Sequence, residues 1–553
     1  MSTIQVLKFG SSVLRTPEEL PVAVDEIYRY WRSGCRVLAV VSAYEGVTDQ
    51  LIREASNLFG ANCPDATAAY VAKGEQMTAT QLLGSLSRSG IPARLVDPHE
   101  IGLLAEGSTL ESTPVRVDVT ALKRFWQRSP ILVLPGFYGV GARGRTALFG
   151  RGGSDMTALF LAAELGARCR LLKDVSGVFD TDPASSKVAH RFTALSWATA
   201  MQVAGPLIQA KALRYARTRS LPFHVGRPNE RSCTLVGQAE DELAAPTSAA
   251  RPLRVVLLGC GVVGRGVYET LRSYPQAFEV CHVVVGELAK HTHIVEATTD
   301  RSVALDDSID VVVECFGGVG LPYPLIAAAL AGGKFVVTAN KAMVAARWVD
   351  LSVYARGLKR QIWFSAAVGG ALPALETLDT LATLKSPVRE IRGSINGTCG
   401  VVLDARADGK THHEAIALAR ASGFAEADPA RDLSGRDSAD KLALMINAAF
   451  EEWVAPENIP TRGIDGIPGG SKGYKLIARA RRDGQQVTAS VAPELLELES
   501  FLGQARGAEN RIEIELQSGK VIKLCGQGAG RWPTAVSVVG DLHQVARLVE
   551  TRR

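Results

Sequence analysis

Short apolar runs rich in β-branched residues alternate along this chain with longer stretches whose hydrophobic positions recur at helical spacing. The runs IQVLKF (4–9), RVLAVVS (36–42), ILVLPGF (131–137), RVVLLG (254–259), IDVVVECF (309–316) and KFVVTAN (334–340) predict buried strands. Between them, residues 18–31, 79–87 and 321–331 carry amphipathic or small-residue patterns that predict helices. This alternation predicts α/β architecture with mostly parallel sheets. One stretch breaks it. QAEDELAAPTSAARP (238–252) is rich in alanine, proline and small polar residues and has no core periodicity, so it reads as a linker. A fresh strand begins just after it, which divides the chain into two halves.

A length of 553 residues fits three or four domains. The charge of +5 is small for that length and forms no basic stripe, which argues against nucleic acid as a partner. The densest basic cluster, Arg479–Arg482, reads as a solvated helix face. Nine cysteines without a CxxC pair argue for reduced thiols in a cytoplasmic enzyme, against a disulfide framework or a zinc site. No apolar run reaches the ~18 residues of a membrane span. The N-terminus enters a strand pattern directly, with no signal-like region. Membrane and secreted readings are set aside. Many of the 53 glycines cluster at strand ends, where backbone can approach a ligand phosphate.

In the second half, RVVLLGCGVVGRG (254–266) places Gly259, Gly261 and Gly264 between a strand and a helix, with Val262 and Val263 opening that helix. This is dinucleotide-binding spacing: a tight turn, close backbone approach to the pyrophosphate, and close helix packing. After the next strand, Glu287 would accept from a ribose 2′-OH and favour NAD, whereas Lys290 would pair with a 2′-phosphate and favour NADP. The choice between the two cofactors stays open. VVECFGG (312–318) and VVTANKAM (336–343) end strands in polar residues, with Thr338 and Asn340 on the cofactor side and Lys341 able to meet a reacting carbonyl. Asp437 and Lys441 lie i and i+4 at a helix start, where a carboxylate can hold a substrate ammonium and a lysine can protonate a carbonyl oxygen.

GCGVVGRGV, TANKAM, AAVGGALP, INGT (395–398), GFAEADP (423–429) with the acids and lysine after it, and GQGAGRWPTA (526–535) occur in the order found in homoserine dehydrogenases. The chain from about 253 onward resembles that family. The resemblance implies a Rossmann domain over 253–373 and an α+β substrate and dimerisation domain over 374–553, whose last segment returns to the Rossmann domain. It implies NAD(P)H-linked interconversion of L-aspartate 4-semialdehyde and L-homoserine, in a homodimer or tetramer. Lys441 is then the preferred proton donor and Lys341 the second catalytic lysine. Glu426, Asp432 and Asp437 match the acidic positions, with Glu426 and Asp437 binding or orienting the amino acid. Ser365 stands where the family usually has a glutamate, which weighs against its monovalent-cation site. Gly286 replaces a common arginine, which weakens an NADP-only assignment.

In the first half, LKFGSSVL (7–14) places Lys8 at a strand end, before Gly10, Ser11 and Ser12, whose backbone can receive a nucleotide tail. There is no Walker A loop. VVSAYEGVTD (40–49) supplies Ser42 and Thr48, and GEQM (74–77) sets Glu75 at a helix start. FGRGGSDMTA (149–158) is a glycine-rich turn opening a helix, with Arg151, Ser154 and Asp155 beside it. LLKDVSGVFDTDP (171–183) adds Asp174 and Asp182.

This set resembles the amino acid kinase fold, an α/β sandwich, and aspartate kinase in particular, over residues 3 to about 237. The resemblance implies phosphorylation of the aspartate β-carboxylate by ATP accompanied by Mg²⁺. Lys8 and the Gly10 loop would then stabilise the transferring phosphoryl, and Asp155 would organise the phosphate-side lysine. Arg151 would take the α-carboxylate and Glu75 the ammonium, with Thr48 beside them and Asp174 and Asp182 on the nucleotide side. KFGSSV departs from the family's KFGGTS toward glutamate 5-kinases, and Lys173 stands where the family has threonine.

Together the halves imply a fused kinase–dehydrogenase acting on small molecules, at steps one and three of a route in which another enzyme performs step two. Two alternatives stand beside it: a non-catalytic kinase-like module, or a kinase acting on another acidic amino acid such as glutamate. The short linker and the chain end leave no room for the small ACT regulatory domains common in both families. Weak or absent feedback inhibition by threonine and lysine is therefore expected.

Overall fold

The apolar strand runs pair into long sheets whose carboxyl ends collect the polar loops. The computed structural model describes residues 3–60, 62–185, 189–205, 207–237, 240–245, 251–358, 361–425 and 428–552. Residues 238–239 and 246–250 of the expected linker lie outside the described residues, as does Glu426; within its described part Glu242–Leu243 is no linker but a short edge strand on Phe192–Ser196. The chain forms two compact units, residues 1–87 with 92–250, and residues 88–91 with 251–553.

The first unit is built on a nine-stranded sheet. From its centre to one edge it is parallel, in the order Arg168–Leu172, Ile4–Phe9, Arg36–Val41, Ile131–Pro135 and Ala93–Leu95. These strands read as continuous apolar runs because both faces are covered: Val6, Leu7, Leu38, Val40, Leu132 and Leu134 are fully buried. The expected helix at 18–31 begins later, at Leu20–Arg32, behind a 3₁₀ turn at Pro17–Glu19. Pro21 falls in its first turn, where a missing N–H costs no helical hydrogen bond. A four-stranded sheet of Glu111–Arg116, Leu104–Ser108, Tyr138–Val140 and Thr146–Leu148 completes the unit.

The second unit opens on a six-stranded parallel sheet in the order Ala297–Thr298, Phe278–Val284, Leu253–Leu258, Val311–Glu314, Phe335–Thr338, Ile362–Trp363. Counted along this unit the order is 3-2-1-4-5-6, the doubly wound arrangement that binds dinucleotides where the order reverses. A five-stranded antiparallel sheet follows: Gln486–Leu495, Tyr474–Asp483, Val388–Ser394, Glu509–Leu516 and Val521–Gln527. Helices Gly397–Ala407 and Arg436–Phe450 cover one face of it.

Arg479–Arg482 is no solvated helix face but part of the strand Tyr474–Asp483. Ala478 and Ala480 point into the core, while Arg479 and Arg481 lie on the open face and pair with Glu390. The alternation has period 2, and four residues are too few to tell it from a helical period. The last helix, Arg531–Arg552, packs back on Val262–Leu271. A Cβ on Gly266 would stand 3.1 Å from the Ala535 Cβ and 3.2 Å from the Arg531 carbonyl oxygen. Among the described residues no helix is long and apolar enough to cross a membrane.

Candidate active sites

In the second unit the glycine-rich turn has the shape its spacing requires. Gly259 has φ +98°, and a Cβ on it would lie 2.9 Å from the Cys315 carbonyl oxygen. A Cβ on Gly264 would stand 1.9 Å from the Gly259 carbonyl oxygen, so only glycine lets the helix Val262–Leu271 come this close. A Cβ on Gly261 would meet nothing within 4 Å. The space in front of that helix N-terminus is open, as a cradle for a pyrophosphate must be. Val262 is exposed beside it, and Val263 is half-buried. Glu287 and Lys290 pair with each other at 2.9 Å on an exposed 3₁₀ turn, so the two opposing cofactor signals share one surface ion pair.

At the carboxyl ends of the neighbouring strands stands a residue that the sequence reading passed over. Glu314 is fully buried. It accepts from the Thr338 hydroxyl at 2.6 Å, from the Phe316 and Gly317 N–H groups at 2.8 and 3.3 Å, and from the Asn340 amide at 3.3 Å. Burial raises its pKa against the pull of those donors. Asn340 also donates to the Gly318 carbonyl and caps the helix Lys341–Gly357 through the Met343 N–H. Thr338 and Asn340 are thus held to the strand-end loop at 316–318. The VVECFGG motif contains Glu314, but a glutamate ending an apolar run is usually solvated, and nothing local shows otherwise.

Lys341 opens its helix and reaches Asp437, which pairs through its other oxygen with Lys441 at 3.0 Å. The i,i+4 relation of Asp437 and Lys441 is realised on the helix Arg436–Phe450. Burial would raise the Asp437 pKa, but the charges of Lys441 and Lys341 outweigh it and hold the carboxyl well below the usual range. Asp437 in turn raises the pKa of Lys341 against the effect of burial. Lys441 also donates to the Ile395 carbonyl at 2.8 Å. Asn396, inside the INGT motif, donates to Asp432 at 2.7 Å and to Asp437 at 3.0 Å, and its oxygen caps Cys399 N–H. Burial and the nearby Asp437 charge push the Asp432 carboxyl up. Lys341, Lys441, Asp432 and Asp437 therefore form one cluster. Glu426 lies outside the described residues.

In the first unit, Lys8 and Asp155 form an ion pair at 2.8 Å, and Lys173 holds the other Asp155 oxygen at 3.0 Å. All three are buried. Burial would raise the Asp155 pKa, but Lys173 and Lys8 hold the carboxyl down to about 2. Glu75, on the helix Lys73–Arg88, is 2% exposed and accepts from the Ala43 N–H at 3.2 Å. Its second oxygen has no hydrogen-bond partner among the described residues, and burial pushes its carboxyl up to about 8. Ser42 donates to Ser154 at 2.9 Å, which joins two of the predicted strand-end signals.

Gly10 turns the chain after Lys8, with the Val13 and Leu14 N–H groups closing on its carbonyl. Ser11 is exposed and Ser12 half-buried. Thr48, at the start of the helix Val47–Phe59, and Arg151, exposed between Gly150 and Gly152, make no hydrogen bond or ion pair with the Lys8 cluster among the described residues. The same holds for Asp174 and Asp182 on their exposed loop. Lys211 is a further residue not singled out from the sequence. It donates to the Ser112 and Phe149 carbonyls at 2.8 and 2.9 Å and to Glu111 at 3.1 Å, fastening the strand that leads into the glycine-rich turn. An alternating helical pattern around it gave no signal.

Residues 3–223 match the amino acid kinase family, residues 259–365 the homoserine dehydrogenase NAD binding domain, and residues 373–543 the homoserine dehydrogenase family. The homoserine dehydrogenase of Corynebacterium glutamicum is 32% identical over 319 residues, covering 53% of this chain and 72% of that protein. That of Bacillus subtilis is 33% identical over 319 residues, covering 54% and 73%. The crystal structure of a homoserine dehydrogenase from Thiobacillus denitrificans superposes with a TM-score of 0.52 at 31% identity, covering 54% of this chain and 74% of that one.

Proposed function

The chain belongs to the homoserine dehydrogenase family, with an amino acid kinase family domain ahead of it, and from that premise we propose that its second unit interconverts L-homoserine and L-aspartate 4-semialdehyde. The observation that carries this is one ionised carboxylate, Asp437, shared by Lys341 and Lys441. The Gly259–Gly264 turn and the Glu314-anchored loops would hold the dinucleotide, whose nicotinamide supplies or takes the hydride at the substrate's aldehyde carbon. Lys441, fixed by the Ile395 carbonyl and Asp437, donates the proton to the aldehyde oxygen in reduction and takes it back in oxidation. Lys341 polarises the same oxygen. Asp437 is saturated by the two lysines and Asn396, so its part is to orient them. Asp432, tied to Asn396 through one oxygen, is placed to meet the substrate ammonium.

Lys441→Ala is expected to lower homoserine oxidation by about 10²–10⁴-fold while cofactor binding, followed by fluorescence titration, persists. Near-normal turnover in that variant overturns the assignment. Parallel titration with NAD and NADP decides the cofactor.

For the first unit we propose ATP-dependent phosphorylation of L-aspartate to 4-phospho-L-aspartate. What supports it is a buried cluster that gathers positive charge at the carboxyl ends of parallel strands, with the Glu75 carboxyl nearby and one of its oxygens unpartnered. Such transfer depends on positioning and charge neutralisation, not covalent catalysis. ATP with L-aspartate, and separately with L-glutamate, in the presence of hydroxylamine tests it: an acyl hydroxamate with aspartate alone supports the reading. Product only with glutamate reassigns the substrate, and no product with either favours a non-catalytic module.

A further inference from the structure

Lys8 and Lys173 come from the carboxyl ends of neighbouring parallel strands, Lys173 two positions further along. Ile4–Phe9 pairs with Arg168–Leu172 so that Lys8 lies opposite Leu171, and Lys173 follows one residue beyond the second strand. Their ammonium groups converge on one acceptor, each taking one oxygen of Asp155. Lys173 is 8% exposed and Lys8 5%. A purely structural buried pair needs one lysine for one carboxylate, and a second buried cation of like charge adds repulsion and a further desolvation cost.

That cost is visible. Burial, together with the charge of Lys173, pulls the Lys8 pKa down despite Asp155. Glu75 does not offset the excess, because burial keeps its carboxyl protonated up to about pH 8. The cluster is short of an anion. It lies against the turn at Gly10, where a Cβ would stand 3.0 Å from the Lys8 ammonium, so glycine leaves that side of the ammonium uncovered by a side chain. Asp155 itself sits in the first turn of the helix Gly153–Leu165, whose N-terminus adds further positive potential.

We propose that Lys173 is a second phosphate-holding residue, which with Lys8 grips the phosphoryl group in transit from ATP, each lysine steadied by one oxygen of Asp155. This rests on the phosphoryl-transfer reading of the first unit and adds to it a residue that stands in place of the threonine of the resembling family. No bond to lysine forms. The phosphoryl passes from the ADP oxygen to the acceptor carboxylate, and the two ammonium groups offset the charge on its three peripheral oxygens.

The test compares full-length wild type, Lys173→Met, Lys173→Thr and Lys173→Arg for affinity toward MgADP, MgATP and MgADP with aluminium fluoride, a mimic of the phosphoryl in flight. The expected result is MgADP affinity within about threefold of wild type, about 10–100-fold weaker binding of the two γ-occupied ligands by the Met and Thr variants, and partial recovery in Lys173→Arg. Equal losses for ADP and ATP, or none, overturn the proposal. If Lys173→Met does not give the wild-type melting transition, Lys173→Arg decides, because a packing role leaves its ATP-to-ADP affinity ratio unchanged. A wild type that binds MgATP yet yields no hydroxamate from aspartate or glutamate defeats the phosphoryl-transfer reading and the proposal with it, whereas a normal yield with an unchanged affinity ratio defeats the part of Lys173 alone. A wild type that does not bind MgATP overturns both.

Discussion

Glu75 is a carboxyl kept from water with a partner for only one of its oxygens, and this makes its side of the kinase unit pH-dependent. Its folded pKa, about 8, lies above that of an unfolded glutamate. The folded state therefore binds the extra proton, and the stability this confers is fully present below the unfolded pKa and is lost as pH rises through 8. Wild type is expected to lose about 2–3 kcal/mol between pH 6 and 9 from this group, and Glu75→Gln to lose none of it. Denaturant midpoints at the two pH values check this, and identical slopes in both proteins would refute it. In the other unit, Glu314→Gln turns an acceptor of four hydrogen bonds into a group whose NH₂ faces N–H donors. A rise of about tenfold in cofactor KM is expected, since one misplaced buried hydrogen bond costs ~1–3 kcal/mol; initial-rate kinetics measure it. The contrast in legibility is physical. Asp437 and Lys441 are four residues apart on one helix, so their pairing could be read from spacing. Glu314, Asn396 and Lys211 take their meaning from groups that only tertiary folding brings near.

Among elements, those with a single strong periodicity were readable. The parallel strands are continuous apolar runs, and the helices after them follow from 3.6-residue spacing. Among the antiparallel strands of 474–527 only Glu509–Leu516 sets a charge at every second position, and ARARRD fits a helix as well as a strand until its neighbours are known. The five-stranded sheet was therefore absent from the sequence reading, although the α+β resemblance implied one. The resemblance implied that the last segment returns to the Rossmann domain, but not where it meets it: Gly266 lies just past the glycine fingerprint, and nothing local marks it as the seat of Arg531–Arg552. Gly266→Val should wedge these helices apart at Ala535 and Arg531. A loss of about 1–3 kcal/mol in stability, with weaker dinucleotide binding through the displaced helix N-terminus, is expected in urea unfolding and cofactor titration.

At the scale of the whole molecule, each unit carries its own core and its own charged cluster. Lys8→Met is expected to lower hydroxamate formation by at least about 100-fold with homoserine oxidation within twofold of wild type, and Lys441→Ala to do the reverse. Paired assays on one preparation check both, and a shared loss would mean the units are not independent. The division into halves was legible because composition shifts sharply at 238–252; the inner boundaries came only with the resemblance, since nothing local marks them. The return of Arg531–Arg552 to the dinucleotide-binding helix also has a consequence on the ribosome. The kinase unit can close as soon as its own residues clear the exit tunnel. The dinucleotide fold exposes the bare flank of Val262–Leu271 until the final segment has been made, tens of seconds later at about 5–20 residues per second. During that interval the nascent chain is half finished in function as well as in length, and that flank is where a chaperone would find it.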